Sequence, residues 1–233
     1  MVLTTSPETR IRALTLDLDD TLWPIWPAIE RAETALRDWL ARHAPRTAAR
    51  FDRAAMRTVR EAVAAEHPTL AHDLSAQRRL AIARMLAAGG DDPGLVEPAF
   101  DVFFAARQQV DFYEDALPAL RRLAARWPVL ALSNGNADIE RIGVGQCFVG
   151  SLGAREVGVG KPDARIFAAA CERLGCAPGE VLHIGDDLRL DVQGALAAGL
   201  QAAWIRRGAD AAPVDAPCWH GPDLGALADA LGA

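Results

Sequence analysis

Four clusters of polar residues in this 233-residue chain have the types and spacing for chemistry. The first is Asp17-Leu18-Asp19-Asp20-Thr21, where the apolar run from Ile11 to Leu16 ends in three carboxylates and a threonine. Asp17 and Asp19 are two residues apart, so on an extended backbone their side chains start on the same side. Carboxylates held that close repel, and a bound cation is the simplest relief. The second cluster is Ser133-Asn134-Gly135-Asn136, the third Lys161-Pro162-Asp163, and the fourth Gly185-Asp186-Asp187 with Asp191. Each has an ordinary alternative: an Asp cluster or Ser-Asn-Gly-Asn run can be only a turn, Lys161 a loop lysine, and Asp187 an acid at a helix N-terminus.

The elements that would carry these clusters can be read from periodicity. Ile11–Leu16 reads as a buried parallel strand, and so do 128–132 and 181–184, each apolar and each ending at one of the clusters. Cys147-Phe148-Val149 and Ala202–Ile205 complete the strands. Helices are expected over 116–125, 137–142, 163–174, 190–198 and 224–231. Such strand–helix alternation predicts an α/β fold with a doubly wound parallel sheet. Right-handed crossovers put the strand ends on one edge, where open α/β sheets hold ligands.

Between about Trp23 and Val110 the pattern is helical throughout. Ile25, Ile29, Ala32, Leu36, Trp39 and Leu40 share one helical face. A second helix, capped by Thr47, carries Phe51, Ala55, Val59 and Val63 and stops at His67-Pro68. A third carries Leu74, Ile82, Met85 and Leu86 to Gly89-Gly90, and a fourth follows Pro93-Gly94 with Val96, Phe100, Phe103 and Phe104. The segment reads as an α-helical bundle inserted after the first strand. The expected domains are 9–22 with 114–233 for the α/β core and 23–113 for the insert, which is rooted where a lid would be. Trp23 and Trp26 fall at the hinge, where packing competes with stacking on a substrate ring.

Composition narrows the classes. Hydrophobic residues make up 51% of the chain and charged residues 24%, enough apolar material for a sizeable core. A formal charge of −6 does not favour a nucleic-acid partner. No apolar run is long enough to span a bilayer, and residues 1–10 lack the pattern of a signal peptide. Cys147, Cys171, Cys176 and Cys218 form no Cys-x-x-Cys pair, so they read as reduced thiols of a cytoplasmic protein.

The four clusters, in order and at these strand ends, resemble the four motifs of the haloacid dehalogenase-like (HAD) hydrolase superfamily over essentially the whole chain. The resemblance implies a Rossmann-like core with an α-helical cap and an Mg²⁺-dependent phosphatase acting through an aspartyl-phosphate. It implies that Asp17 is the nucleophile and Asp19 the general acid and base. Mg²⁺ would be held by Asp17, Asp186 and the backbone carbonyl of Asp19, with Asp187 or Asp191 adding support. Ser133, Asn134 and the backbone N–H groups that follow Ser133 would hold phosphate oxygens, and Lys161 would neutralise charge. Haloacid dehalogenases lack the acid at the position of Asp19, since a halide leaves without a proton and an alkoxide needs one.

Further stretches, among them His72-Asp73, Leu182–Leu188 and Gly199–Arg206, are similar to bacterial phosphatases of flavin mononucleotide and of 5-amino-6-(5-phosphoribitylamino)uracil. Trp23-Pro24-Ile25-Trp26 departs from the tyrosine-containing segment expected there. The resemblance implies a small phosphate monoester as partner, with no nucleic acid and no membrane, for a monomer or homodimer. A 2-haloacid dehalogenase and a phosphoglycolate-type sugar phosphatase are the alternatives on the same fold.

Overall fold

A computed structural model describes residues 10–208 and 218–233. The polar start at residues 1–9, including residue 9 at the expected edge of the core, lies outside the described residues. The chain forms two compact units, one made of residues up to Pro24 together with those from Phe112 onward, the other Ile25–Asp111. Each break falls two residues from the expected 22/23 and 113/114. Trp23 is fully buried, meets Phe112 edge-on at 5.3 Å, and the Tyr113 N–H donates to the Leu22 carbonyl at 3.0 Å. These contacts keep both chain crossings in the α/β unit.

That unit is built on a six-stranded parallel sheet: β1 (Ala13–Leu16), β2 (Val129–Ser133), β3 (Gly150–Gly153), β4 (Val181–Gly185), β5 (Gln201–Ile205) and β6 (Trp219–Gly221). The strand order is β3-β2-β1-β4-β5-β6. Every residue of β1, β2 and β4 is buried, as continuous apolar runs covered on both faces require. On one face Ala13, Val181 and Ala202 join Ile166, Phe167 and Ala170 of a helix at Ala164–Leu174 and Val192 and Ala195 of the segment after β4. Period-2 alternation turns Leu14, Leu16, Leu182 and Ile184 to the opposite face. The helices Ala116–Ala124 and Leu224–Ala230 pack against each other, with Leu120, Leu123, Leu224 and Leu227 buried. The expected doubly wound α/β architecture is what forms.

Two expectations on the sheet need correction. The strand expected at Cys147-Phe148-Val149 lies three residues later, at Gly150–Gly153, because Gly145–Cys147 forms a 3-10 turn. The strand Trp219–Gly221 was not expected: three residues are too few to show a period. The helix expected from residue 190 begins instead as a π-helical turn, Leu188–Gln193, and continues as Gly194–Ala197.

The helical unit comprises α1 (Ile25–His43), α2 (Pro45–Arg50), α3 (Arg53–Glu66), α4 (Leu74–Gly89) and α5 (Val96–Arg107). Its core joins Ala32, Leu36 and Leu40 to Ile82, Met85 and Leu86 and to Ala99, Phe100 and Phe103. The second expected helix is two. Asp52 accepts from the Ala55 N–H and starts α3, while Thr47 lies inside α2, its N–H and hydroxyl both donating to Asp91 Oδ2 at 2.7 Å. The cap is Asp52 and not Thr47, which finds a partner distant in sequence. Among the described residues no helix is long and apolar enough to cross a membrane.

Candidate active site

Strand order fixes the location. β1 is bordered by β2 on one side and β4 on the other, so successive connections leave β1 in one direction and return to its other side at β4. The crevice beyond the carboxyl ends of these two strands is the sheet's switch point. Asp17 follows β1 and Asp186 follows β4, and the Asp17 N–H donates to the Ile184 carbonyl at 2.9 Å. Parallel pairing of Leu16 with Ile184 thus brings together acids 169 positions apart in sequence.

The centre is a buried lysine between two carboxylates. Lys161 Nζ donates to Asp17 Oδ1 at 2.5 Å and to Asp191 Oδ1 at 2.6 Å. The side chains of Lys161 and Asp191 are 3% and 2% exposed, so solvent screens their pairing little. Burial works against the ammonium, but Asp17 and Asp191 overcome it and hold its pKa above that of an ordinary lysine. Burial also opposes the Asp191 carboxylate, but Lys161 and His183 hold it below the usual carboxylate range. Asp17 goes the other way: burial pushes it well up, with Lys161 pulling down and Asp191 adding to the rise.

Asp186 completes the group. Thr21 Oγ1 donates to Asp186 Oδ1 at 3.0 Å and lies 3.5 Å from Asp17 Oδ2, so one hydroxyl sits between the two acids. Burial, then the charge of Asp191, pushes the Asp186 carboxyl up to about 7. Asp17, Asp186 and Asp191 each offer an oxygen within 4.8 Å of the others. Three carboxylates share one lysine, and burial, with the charge of Asp191 adding to it, holds Asp17 and Asp186 above the ordinary carboxylate range. An all-oxygen donor set with excess negative charge fits a hard divalent cation such as Mg²⁺. Asp17 and Asp186 are the residues that could hold it. Both Asp191 oxygens are taken already, Oδ1 by Lys161 and His183 and Oδ2 by the Asp187 N–H at 3.0 Å. Asp191 therefore supports the site by fixing Lys161. Asp187 is exposed, and its Oδ1 accepts from the N–H groups of Arg189 and Leu190, the helix-terminal acid of the ordinary alternative.

The remaining expected residues are placed as follows. Ser133 ends β2, 7% exposed, and its hydroxyl accepts from the Gly135 N–H at 2.9 Å. The Asn134 side chain, expected among the phosphate-holding groups, grips the backbone of Lys161 from both ends. Nδ2 donates to the Lys161 carbonyl at 2.9 Å and Oδ1 accepts its N–H at 2.7 Å. Its amide positions the lysine, and its backbone N–H is what it has to offer a phosphate. Gly160 lets the amide approach, since a Cβ there would stand 2.6 Å from Asn134 Oδ1. The Asp19 carboxylate is not among the three clustered acids; its Oδ1 accepts from the Trp23 indole at 2.8 Å. Trp26 is 68% exposed, so the two tryptophans part company.

Other supports were not anticipated. His183 is 1% exposed and lies between Thr15 Oγ1, 2.9 Å from Nδ1, and Asp191 Oδ1, 3.1 Å from Nε2. Burial holds its pKa below the ordinary value. The neutral ring therefore donates from Nε2 to the carboxylate and accepts the Thr15 hydroxyl at Nδ1. Trp204 Nε1 donates to the Asp186 carbonyl at 2.7 Å. Arg207 donates to the Thr21 carbonyl at 2.7 Å and to Asp115 Oδ1 at 2.7 Å. Trp204 and Arg207 are distant from the motifs in sequence, whereas His183 stands two residues before Gly185, and the alternation of β4, which turns it to the face occupied by Thr15, is its one hint.

The family described as haloacid dehalogenase-like hydrolase matches residues 11–199. The chain belongs to the haloacid dehalogenase-like hydrolases. It is 37% identical over 204 residues to the 5-amino-6-(5-phospho-D-ribitylamino)uracil phosphatase YigB of Escherichia coli K12, covering 86% of this chain and 85% of that one. It is 31% identical over 224 residues to a phosphoserine phosphatase of Thermus thermophilus, covering 85% and 90%. A crystal structure of a 2-haloacid dehalogenase from Pseudomonas syringae pv. Tomato DC3000 is similar with a TM-score of 0.88 at 35% identity, covering 95% and 98%. HAD-like hydrolase chemistry is therefore the frame for this site, and the chain is an enzyme of that kind.

Proposed function

We propose that this HAD-like hydrolase is a phosphatase of small phosphate monoesters that works through an aspartyl-phosphate on Asp17. The observation that carries the reading is Asp17 itself: a carboxylate buried at the switch point, held by Lys161 at 2.5 Å, with Asp19 two residues on. Lys161 fixes Asp17 Oδ1 and offsets part of the negative charge that arrives with a phosphoryl group. A carboxylate oxygen of Asp17 attacks phosphorus as the bond to the leaving oxygen breaks, and Asp19 gives its proton to the departing alkoxide. Asp19, now a carboxylate, takes a proton from water as that water attacks phosphorus, which returns Asp17 and frees phosphate. The Ser133 hydroxyl and the N–H groups after it hold the phosphoryl oxygens. Asp17, Asp186 and the Asp19 carbonyl would hold Mg²⁺, which would supply Lewis-acid charge neutralisation when bound. The Ile25–Asp111 unit serves as the cap.

The substrate follows from kinship and from the leaving group that Asp19 serves. The Escherichia coli relative is named for 5-amino-6-(5-phospho-D-ribitylamino)uracil, a phosphate ester of a primary alcohol, whose departure calls for an acid. We take this compound and flavin mononucleotide, which shares the ribityl phosphate, as leading substrates of a cytoplasmic enzyme. The similarity to a structure named as a dehalogenase makes halide release the contrasting outcome. Purified protein with Mg²⁺ is expected to release phosphate from a metabolite panel with these two ranked highest by kcat/KM, and Asp17→Asn to abolish release. Halide release from 2-chloropropionate without phosphate release, or an active Asp17→Asn protein, overturns the reading.

A further inference from the structure

The turn after β1 carries a feature that the four motifs do not explain. Asp20 takes a left-handed φ of 59°. Its N–H donates to the Trp23 carbonyl at 2.7 Å, and the Leu22 N–H donates to the Leu18 carbonyl at 2.8 Å. These bonds fold the segment back on itself, so that Asp19 and Trp23 form an isolated β-bridge. The bridge sets the two side chains together, and Trp23 Nε1 donates to Asp19 Oδ1 at 2.8 Å. The indole cannot turn away. It is fully buried, and the Phe112 ring meets it at 89°.

We propose that Trp23 is a positioning residue for proton transfer by Asp19, its indole N–H deciding which carboxyl oxygen handles the proton. The inference rests on the reading of Asp19 as general acid and base. An indole N–H donates and never accepts. A neutral Asp19 whose Oδ1 receives that N–H therefore keeps its own proton on Oδ2. In the carboxylate the same bond stabilises charge on Oδ1 and leaves Oδ2 the more basic oxygen. One oxygen then both delivers the proton to the alkoxide and collects it from water, with no rotation of the carboxyl between the two half-reactions. Phenylalanine would fill much of the same space and lose the donor; a tyrosine hydroxyl would extend from a different point on the ring. Trp23 thus joins the chemistry by its nitrogen, a different part from hinge packing or stacking on substrate.

Leaving-group dependence separates this role from packing. For each protein, kcat/KM is measured with Mg²⁺ on an alkyl phosphate, whose alkoxide must be protonated, and on p-nitrophenyl phosphate, whose phenolate needs no proton to leave. The ratio of kcat/KM reports only steps up to phosphoryl transfer, so hydrolysis of the intermediate does not mask it. Trp23→Phe is expected to lower the alkyl-to-aryl ratio by about 10- to 100-fold, the size set by one hydrogen bond to a charged group. Because Trp23→Phe also changes packing, a second protein carries 3-benzothienylalanine at position 23, which keeps the bicyclic ring and replaces N–H by sulfur. It should show the same fall in ratio. Equal losses on both substrates, or an unchanged ratio with benzothienylalanine, overturn the proposal. Asp19→Asn keeps the two readings apart: a selective alkyl loss there, without one in the Trp23 proteins, removes Trp23 alone, whereas no selective loss in Asp19→Asn removes both.

Discussion

Asp186→Asn tests the electrostatic account of the site through folding, independent of turnover. Burial and the charge of Asp191 raise the Asp186 carboxyl from 3.8 to about 7. Between these values the folded protein holds a proton that the unfolded chain has lost. Stability contributed at this position is therefore intact below about pH 4 and falls as pH rises toward about 7. At about 1.4 kcal/mol per pH unit, the separation amounts to at most about 4 kcal/mol, reduced by water at the open edge of the carboxyl. Asparagine keeps the shape and offers the Thr21 hydroxyl an amide oxygen in place of Asp186 Oδ1. The assay is urea unfolding of both proteins in EDTA from about pH 4 to pH 8, read as the difference in unfolding free energy. His183, held below its ordinary pKa, contributes a slope of opposite sign in both proteins, and the difference removes most of it. Asp186→Asn should gain on the native protein progressively up to about pH 7 and then hold level. Millimolar Mg²⁺ should stabilise the native protein at about pH 8 far more than the variant. A difference that does not grow with pH refutes the claim that burial and the charge of Asp191 hold the Asp186 carboxyl up.

Three further outcomes follow from contacts around the same centre. Thr15→Val removes the donor to the buried His183 Nδ1 and should destabilise the fold by about 1–3 kcal/mol in denaturant unfolding, and by less when His183 is already leucine. Gly185→Ala would place a Cβ 2.3 Å from the Asp191 carboxyl; a loss of about 1–3 kcal/mol with a matching fall in kcat is expected as Asp191 and Lys161 shift. Asn134→Ala cuts both bonds to the Lys161 backbone and should cost about 2 kcal/mol in the same unfolding assay. It should also lower kcat more than it raises KM.

The sheet was legible because its central strands are short, mostly apolar and punctuated by acids, serine or glycine. β1, β2 and β4 are buried on both faces, and such strands announce themselves as continuous runs. β3 and β6 were misplaced or missed for the opposite reason: Gly150-Ser151-Leu152-Gly153 and Trp219-His220-Gly221 carry too little apolar signal at the sheet's edges. In the helical unit the wide apolar faces of α1 and α5 marked those helices, whereas the break between α2 and α3 depended on Thr47 reaching Asp91, a partner beyond any local window.

By itself the sequence determined the α/β class, the helical insertion and the identity of the acids at the strand ends, because these depend on residue type and short-range period. Tertiary structure alone decided what each polar group does. Asp191 and Asp187 look interchangeable in the chain, yet one is buried against Lys161 and the other caps a helix in solvent. The Asn134 amide holds the Lys161 backbone, and Trp23, packed against Phe112, also donates to the Asp19 carboxyl. The physical reason is that a hydrogen bond depends on orientation within a few tenths of an ångström, and no spacing rule along the chain carries that information.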